Sequence, residues 1–148
     1  MQVRPTYFPQ LAGERLDIAL CRASATVARA ADAHAAGQSL GVGQHLVLKM
    51  LYTVGPCSQQ ALSEELRIDR SVMVTICDDL ERDGCVRRER NPHDRRSYAV
   101  TITDAGRQRL VTAERSIPGY LDDTFKALTP DERTQLATLL GKLLGISG

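Results

Sequence analysis

The chain of 148 residues is poor in aromatic side chains, which make up 4% of it, and it contains no tryptophan. Its core must therefore be built mostly from aliphatic side chains and alanine. The formal net charge is only +1, so bulk charge does not mark a binder of polyanions. No apolar run is long enough to cross a bilayer, and the first ten residues lack the apolar segment of a secretion signal. We expect a cytoplasmic protein with no membrane partner.

Patterns of catalytic and metal-binding residues are also lacking. The sequence shows no nucleophile–base pairing and no glycine-rich phosphate loop, so we do not expect an enzyme. The cysteines have no C-x-x-C spacing, and the histidines fall on separate predicted elements without an i, i+4 pair. We therefore expect reduced thiols, no metal and no cofactor; the residues concerned are Cys21, Cys57, Cys77 and Cys85, and His34, His45 and His93.

Positive charge is present, but it is concentrated in one segment. Residues 86–96 contain five arginines against Glu89 and Asp94, a local charge of +3, which leaves −2 for the rest of the chain. Alternating, strand-like residues flank a turn that begins at Asn91-Pro92. The pattern predicts a β-hairpin with a tip over residues 91–96 and strands over residues 85–90 and 97–103.

Helical patterns occupy the remainder of the chain. Ser58 and Asp69 are predicted N-caps, and Gly84 is predicted to end the helix that Asp69 begins. A short helix, a tight connection, a second helix and a hairpin, in that order, make a winged helix-turn-helix. The predicted helices cover residues 14–36, 43–54, 59–66 and 70–83, then one from Thr103 that Pro118-Gly119 bends or interrupts, and one from the cap and first turn of residues 129–132.

The outer helices carry more apolar residues than the winged lobe needs for its own core. The first has a narrow stripe at 4-3-4-3 spacing, and the last is rich in leucine. Such faces suggest an interface between copies of the chain. We predict a mainly α protein with a small β-hairpin wing, divided into an N-terminal dimerisation helix (1–41), a winged helix-turn-helix DNA-binding lobe (42–103) and C-terminal dimerisation helices (104–148).

Taken together, these segments resemble the MarR family of bacterial transcriptional regulators over about residues 42–110. The resemblance depends on their combination, order and spacing. The segments are Ala61-Leu62-Ser63-Glu64-Glu65-Leu66, Asp69-Arg70-Ser71, Leu80 to Arg88, and Asn91 to Arg96 running into Ile102-Thr103-Asp104-Ala105-Gly106.

The resemblance implies a homodimer that presents two winged lobes to double-stranded DNA at a palindromic operator. It implies that the second helix of the motif enters the major groove, that the start of the preceding helix meets a phosphate, and that Asp94 orients Arg96 in the minor groove. Arg70, Arg88 and Arg95 are expected on the DNA backbone. The full predicted DNA-binding set is Ser58, Gln59, Gln60, Arg70, Ser71, Val72, Val74, Thr75, Arg88, Asp94, Arg95 and Arg96.

One departure from the family concerns charge. Residues 69–83 hold two arginines against five acids, a net charge of −3, whereas recognition helices of the family often carry a basic residue near Thr75 or Asp79. We therefore expect affinity to rely on the wing and on phosphate contacts.

The resemblance also implies a small anionic or aromatic effector between the dimerisation helices and the winged lobe. Such an effector would release a repressor from its operator, and the candidate residues for it are Arg15, Arg22, His45 and Lys49. Two alternatives stay open. One is a redox-sensing regulator that uses Cys21, although the tyrosine partners of the family's peroxide sensors are absent near residues 42–45. The other is a winged helix that binds protein and not DNA.

Overall fold

The computed structural model describes the backbone of residues 6–91 and 94–146, and the side chains of residues 6–90 and 98–146. The chain divides into two compact units, residues 1–113 and 114–148. None of the helices in the described ranges has the length and apolarity to cross a bilayer. The first unit contains α1 (Tyr7–Glu14), α2 (Leu16–Gln38), α3 (Val42–Val54), β1 (Cys57–Ser58), α4 (Gln59–Leu66), α5 (Arg70–Arg82), β2 (Val86–Asn91), β3 (Asp94–Ile102) and most of α6 (Asp104–Glu114); the second contains α7 (Ile117–Thr124) and α8 (Pro130–Leu143).

The helix predicted over residues 14–36 is confirmed as α2 (Leu16–Gln38). The helix before it, α1, was not predicted, and Arg15 separates the two in an extended conformation (φ −122°, ψ 91°). Pro9 lies in the first turn of α1, where proline is tolerated because its missing N–H would have no partner within the helix. Neither α1 nor α2 buries a side chain within the protomer.

The core of the first unit lies where α3, α4, α5 and the sheet meet. It is aliphatic, as composition predicts, and its fully buried side chains include Leu48, Leu51, Leu62, Met73, Leu80, Val86 and Val100. The apolar residues of the sequence predict an inward face of Leu46, Val47, Met50 and Leu51 for α3, and this prediction is partly wrong. Leu46 is 40% exposed, whereas Leu48 is completely buried. The buried face is therefore rotated towards Val47, Leu48 and Leu51, and Leu46 lies at its edge.

The ends of the two motif helices follow local chemistry in most respects. Ser58 caps α4 as predicted, because its Oγ accepts a hydrogen bond from the backbone N–H of Ala61 at 3.1 Å. Asp69 occupies the N-cap position of α5, but the prediction that its side chain caps the helix was wrong, since it accepts no capping hydrogen bond. Gly84 follows α5 with φ +75°, a left-handed conformation that glycine adopts without strain.

The sheet is antiparallel, with strand order β1-β3-β2. The two-residue strand β1 joins the predicted hairpin, with Cys57 opposite Val100. The strands extend further towards the tip than predicted, to Asn91 and from Asp94. In the register, Arg88 pairs with Val100 and Arg90 pairs with Tyr98.

The helix after the wing packs closely against the wing's base. Thr103 starts α6, as predicted: its Oγ1 accepts from the N–H of Gly106 at 3.1 Å and its hydroxyl donates to the carbonyl of Gly84. Gly106 is buried next to the backbone of Cys85. The close contact fixes the point from which β2 leaves the core.

Within the second unit, the predicted break and start signals both operate. The break falls before Pro118, which lies in the first turn of α7 and does not bend a continuous helix. Thr129 and Glu132 form the predicted capping box of α8, with distances of 3.2 and 2.9 Å. Arg133 of α8 binds Asp122 of α7 at 2.8 Å. Neither helix buries a side chain within the unit.

Candidate nucleic-acid interface

The start of α4 and the start of α5 share one small cavity of about 160 Å³. Three predicted phosphate contacts line it, namely Gln59, Gln60 and Arg70, together with Ser63 and Val74. An α-helix leaves its first four N–H groups without a partner inside the helix, and Ser58 occupies only one of those of α4. The cavity therefore brings the N-terminus of α4 and the guanidinium of Arg70 together, and this combination suits a phosphate.

The exposed face of α5 contains every residue predicted to reach bases. Ser71, Val72, Val74 and Thr75 are all exposed, and the hydroxyl of Thr75 donates to the carbonyl of Ser71 at 3.4 Å. The two valines face different neighbours. Val74 lines the cavity next to α4, whereas Val72 lines a second, apolar cleft. Ser71 and Thr75 lie between them, so a ridge of two hydroxyls runs along the outer surface of the helix.

The apolar cleft lies on the other side of α5, next to the start of α3. Its volume is about 570 Å³. Two of its lining residues, Val72 and Ile76, belong to α5. The others are Gly41, Val42, Gly43, Gln44, Leu46 and Ile68. A molecule bound there would contact the exposed face of α5 directly.

The acidic residues in the second half of α5 and at its C-cap form ion pairs with arginines. Each of the four acids after Thr75 forms an ion pair, and the N-terminal half that carries the predicted base contacts is free of acids from Arg70 to Cys77. The net charge of −3 read from the sequence therefore does not lie on the exposed ridge. The pairs are Asp78–Arg88 at 2.7 Å, Glu81–Arg88 at 2.9 Å, Asp79–Arg82 at 2.7 Å and Asp83–Arg109 at 3.4 Å.

Arg88, predicted to contact the DNA backbone, is bound within the protein. Its guanidinium donates to Asp78, Glu81 and Gln59, and its side chain is 22% exposed. Burial acts to lower the pKa of Arg88, but its hydrogen bonds to Asp78 and Glu81 and the negative charges of these two acids together raise it, so the side chain stays charged. A group held in this way is poorly placed to bind a phosphate.

The register of the wing identifies a further exposed cation. Residues alternate across a strand, so Arg90 lies on the same face as Arg88 and the buried Val86, opposite Tyr98. Arg90 is exposed and forms no ion pair with any residue whose side chain is described. Arg87 lies on the other face and is 3.6 Å from Glu89. The alternation in Val86-Arg87-Arg88-Glu89-Arg90 could have placed Arg90 on the same face as Arg88, although Arg90 was not among the predicted contacts.

The predicted side chains at the wing tip, Asp94, Arg95 and Arg96, lie outside the described side chains. Only the backbone of β3 places them, in the first three positions of that strand. Their roles in DNA binding remain predictions.

The four predicted effector residues are not gathered at one described site. Arg15 is held by Asp17, with donor–acceptor distances of 3.0 and 2.7 Å, and this hydrogen bonding raises its pKa. His45 and Lys49 are one turn apart on α3 and share a face. Arg22 is exposed on α2. The walls of the apolar cleft include none of these four side chains.

The cysteines separate into one exposed and three shielded thiols. Cys21 is exposed on α2, Cys57 is half-buried, and Cys77 and Cys85 are buried. Burial raises the pKa of the last three thiols, which disfavours their reactive thiolate forms. Within the described residues, no group of three histidine, cysteine or acidic side chains could hold a metal ion.

Comparison with known proteins gives consistent matches. A model of the MarR family matches residues 38–97. The HTH-type transcriptional regulator YkoM of Bacillus subtilis is 35% identical over 96 residues, which are 65% of this chain and 62% of YkoM. The HTH-type transcriptional regulator PrsX of Escherichia coli is 32% identical over 105 residues, which are 68% of this chain and 61% of PrsX. The chain thus spans less than two thirds of the length of both relatives.

Similarity to a solved structure extends over almost the whole chain. The transcriptional repressor CouR, bound to a 23-mer DNA duplex, superimposes with a TM-score of 0.84 at 28% identity, over 97% of this chain and 99% of CouR. The predicted winged helix-turn-helix and the family resemblance are therefore confirmed. The chain is similar to the MarR family over residues 38–97, and its matched relatives are named as transcriptional regulators.

Proposed function

We propose that the protein is a homodimeric, sequence-specific repressor that binds a palindromic operator and leaves it when a small effector binds. The observation that carries the proposal is the joint placement of an exposed helix ridge and a phosphate-sized cavity. Ser71 and Thr75 face outward on α5, next to the cavity that holds Arg70 and the start of α4. A helix in the major groove and a helix N-terminus on the adjacent phosphate require this arrangement. The similarity to CouR, named as a repressor bound to DNA, supports the same function.

The apolar faces of the terminal helices support the dimer. In the described ranges, α1, α2, α7 and α8 bury no side chain within the protomer. Leu16 is 81% exposed and Leu143 is 70% exposed. A monomeric protein rarely leaves such apolar faces exposed to solvent, and a second copy of the chain would cover them. The predicted division into terminal dimerisation regions (1–41 and 104–148) and a DNA-binding lobe (42–103) belongs to this proposal.

The apolar cleft supports release by an effector. A small aromatic or other apolar molecule in it would contact Val72 and Ile76 of α5. It would lower DNA affinity only if it bound the DNA-free arrangement of α5 more tightly than the DNA-bound one. The predicted anion contacts Arg15, Arg22, His45 and Lys49 stay part of the proposal for an acidic effector.

A DNA titration tests the proposal. We would measure fluorescence anisotropy on duplexes from the region upstream of the protein's own gene, and on duplexes selected from a random pool, at several salt concentrations. Specific binding should weaken as salt rises, because phosphate contacts release counterions. If no selected duplex gives salt-sensitive, sequence-specific binding, the proposal fails.

A matched pair of variants tests the wing. Arg96→Ala should weaken binding by about 1–3 kcal/mol if this arginine enters the minor groove. Arg87→Ala removes the same charge from the outer face of β2, next to Glu89, and should have a much smaller effect. Equal affinities for Arg96→Ala and the unsubstituted protein would contradict the role of Arg96.

Sedimentation of the full chain tests the dimer. Leu16→Glu should yield monomers without loss of helix content, because Leu16 contributes little to the protomer's own packing. Val54→Glu is the control, since Val54 is 62% exposed but lies outside the terminal helices. A Leu16→Glu protein that keeps the mass and the DNA affinity of the dimer would count against this interface.

A further inference from the structure

We propose that Arg88 is the positioning residue of the DNA interface: it holds the wing, α5 and the start of α4 in one arrangement without contacting DNA. The proposal rests on the proposed function, because it assigns the residue that organises the same interface. It differs from a phosphate-contacting role in its geometry, in its charge and in the sign of one mutational effect.

The geometry is a three-way junction. Each nitrogen of the guanidinium has its own acceptor: Nε donates to Gln59 Oε1 at 2.8 Å, Nη2 to Asp78 Oδ1 at 2.7 Å and Nη1 to Glu81 Oε1 at 2.9 Å. Gln59 belongs to the first turn of α4, and both carboxylates belong to α5. One planar side chain on β2 therefore binds both helices of the motif.

The backbone of the wing is fixed at the same point. The backbone N–H of Arg88 donates to Glu81 Oε2 at 3.2 Å, so one carboxylate holds both the strand and its side chain. The wing continues outward from here through Arg90 to the tip. A strand rises by about 3.3 Å per residue, so a tilt of about 10° at Arg88 moves the end of β2, three residues away, by roughly 2 Å. Small changes at the junction are thus amplified at the tip.

Charge argues against direct phosphate binding by Arg88. The cluster of Arg88, Asp78 and Glu81 carries a net charge of −1, and a phosphate that approached the guanidinium would meet both carboxylates. Three of the five guanidinium N–H donors of Arg88 already have acceptors within the protein. Its contribution to DNA binding must therefore come through the elements that it holds.

The decisive experiment compares two neighbouring substitutions, Asp78→Asn and Asp79→Asn. Each removes one negative charge from α5, which by long-range electrostatics alone should strengthen DNA binding. Asp78 binds Arg88, whereas Asp79 binds Arg82 on its own helix. We expect Asp78→Asn to weaken operator binding about 5- to 20-fold through the loss of a charged junction contact, and Asp79→Asn to leave it unchanged or tighter. If Asp78→Asn binds DNA as tightly as Asp79→Asn or the unsubstituted protein, the proposal is overturned.

Variants of Arg88 separate positioning from charge. Arg88→Lys keeps the charge but cannot supply three donors in a plane, so it should weaken binding nearly as much as Arg88→Gln. The loss in the double variant Asp78→Asn/Arg88→Gln should be smaller than the product of the two single losses, because both remove one junction. Full affinity in Arg88→Lys would show that the positive charge itself acts on DNA and would overturn the proposal.

Amide hydrogen exchange supplies a readout without DNA. In Asp78→Asn and Arg88→Gln, amides of β2 at and beyond Arg88 should exchange at least about 5-fold faster than in Asp79→Asn, while core amides of α3 should be unchanged. Equal exchange in all variants would overturn the proposal even where operator binding is intact. If the unsubstituted protein binds no duplex, the proposed function fails separately, and the exchange rates alone decide whether Arg88 fixes the base of the wing.

Discussion

Replacing Gly106 by alanine should destabilise the protein, although alanine is the better helix former. Gly106 lies in the first turn of α6, where the helix meets the base of the wing. An added Cβ would overlap the backbone oxygen of Cys85 and would lie 2.9 Å from Ile102 Cγ1 and 3.0 Å from the carbonyl carbon of Cys85. That oxygen cannot simply turn aside, since it accepts the N–H of Thr103 at 3.0 Å.

The magnitude follows from opposing effects. Alanine gains about 1 kcal/mol over glycine inside a helix. Overpacking a tight site costs about 1–3 kcal/mol, and weakening the Thr103–Cys85 hydrogen bond costs about 1 kcal/mol more. The overlap is with backbone and not with the end of a flexible side chain, so the unfavourable effects should dominate. We expect a net loss of about 2 kcal/mol, which is a fall of roughly 4–8 °C in Tm for a chain of this size.

Thermal and denaturant unfolding at one fixed protein concentration would measure the loss. Gly37→Ala is the control, because Gly37 also lies in a helix but an added Cβ there meets nothing within 4 Å. This control should be unchanged or more stable by up to about 1 kcal/mol. A Gly106→Ala protein at least as stable as the unsubstituted one would refute the claim that α6 requires glycine at this contact. Loss of operator affinity should accompany the loss of stability, since Cys85 leads directly into β2.

Two further predictions concern titrating groups. Hydrogen bonds from Thr129, chiefly from its backbone N–H, lower the pKa of Glu132 below its ordinary value of 4.5. The Glu132 carboxylate therefore stabilises the folded state above that pH. The difference in free energy of unfolding between the unsubstituted protein and Glu132→Gln should shrink as pH falls through the lowered pKa. A difference that is constant from pH 7 to pH 3 would contradict this. Iodoacetamide at neutral pH should modify Cys21 first, because burial raises the pKa of the other thiols, Cys57, Cys77 and Cys85. Peptide mass spectrometry would measure the modification of each thiol. Faster modification of any of the other three would contradict the prediction.

The parts of the fold that were predictable from sequence are those set by neighbouring residues. The cap at Ser58, the turn at Gly84 and the capping box at Thr129 each depend on a few consecutive residues, and the structure contains all three. The face of α3 was misplaced because apolar residues occur at every position from Leu46 to Leu48, so periodicity could not choose among them. The strand β1 was missed because two residues carry no measurable alternation.

The part of the candidate site that could not be predicted is the pairing of side chains that lie far apart in the sequence. Gln59 and Arg88 are 29 positions apart, Asp83 and Arg109 are 26 apart, and Asp78 and Arg88 are 10 apart. No local rule relates such positions, so the acids of α5 could only be counted as negative charge. Once paired, they orient the arginines.

This pairing changes where positive charge is available to DNA. The sequence places five arginines in residues 86–96, but their number overstates the free charge at the wing. Arg88 is held by two carboxylates, and Arg87 lies near Glu89 on the opposite face. Among the described side chains, Arg90 is an exposed cation on the same face of β2 as Arg88, and the tip follows it along the chain. The cavity at the start of α4, whose lining residue Gln59 binds Arg88, adds Arg70. In the proposed function, phosphate contacts would lie on the wing and at this cavity, and the hydroxyl ridge of α5 would face the bases. Because Arg88 joins the wing and the start of α4 to α5, the proposed DNA contacts of all three elements would depend on this one side chain.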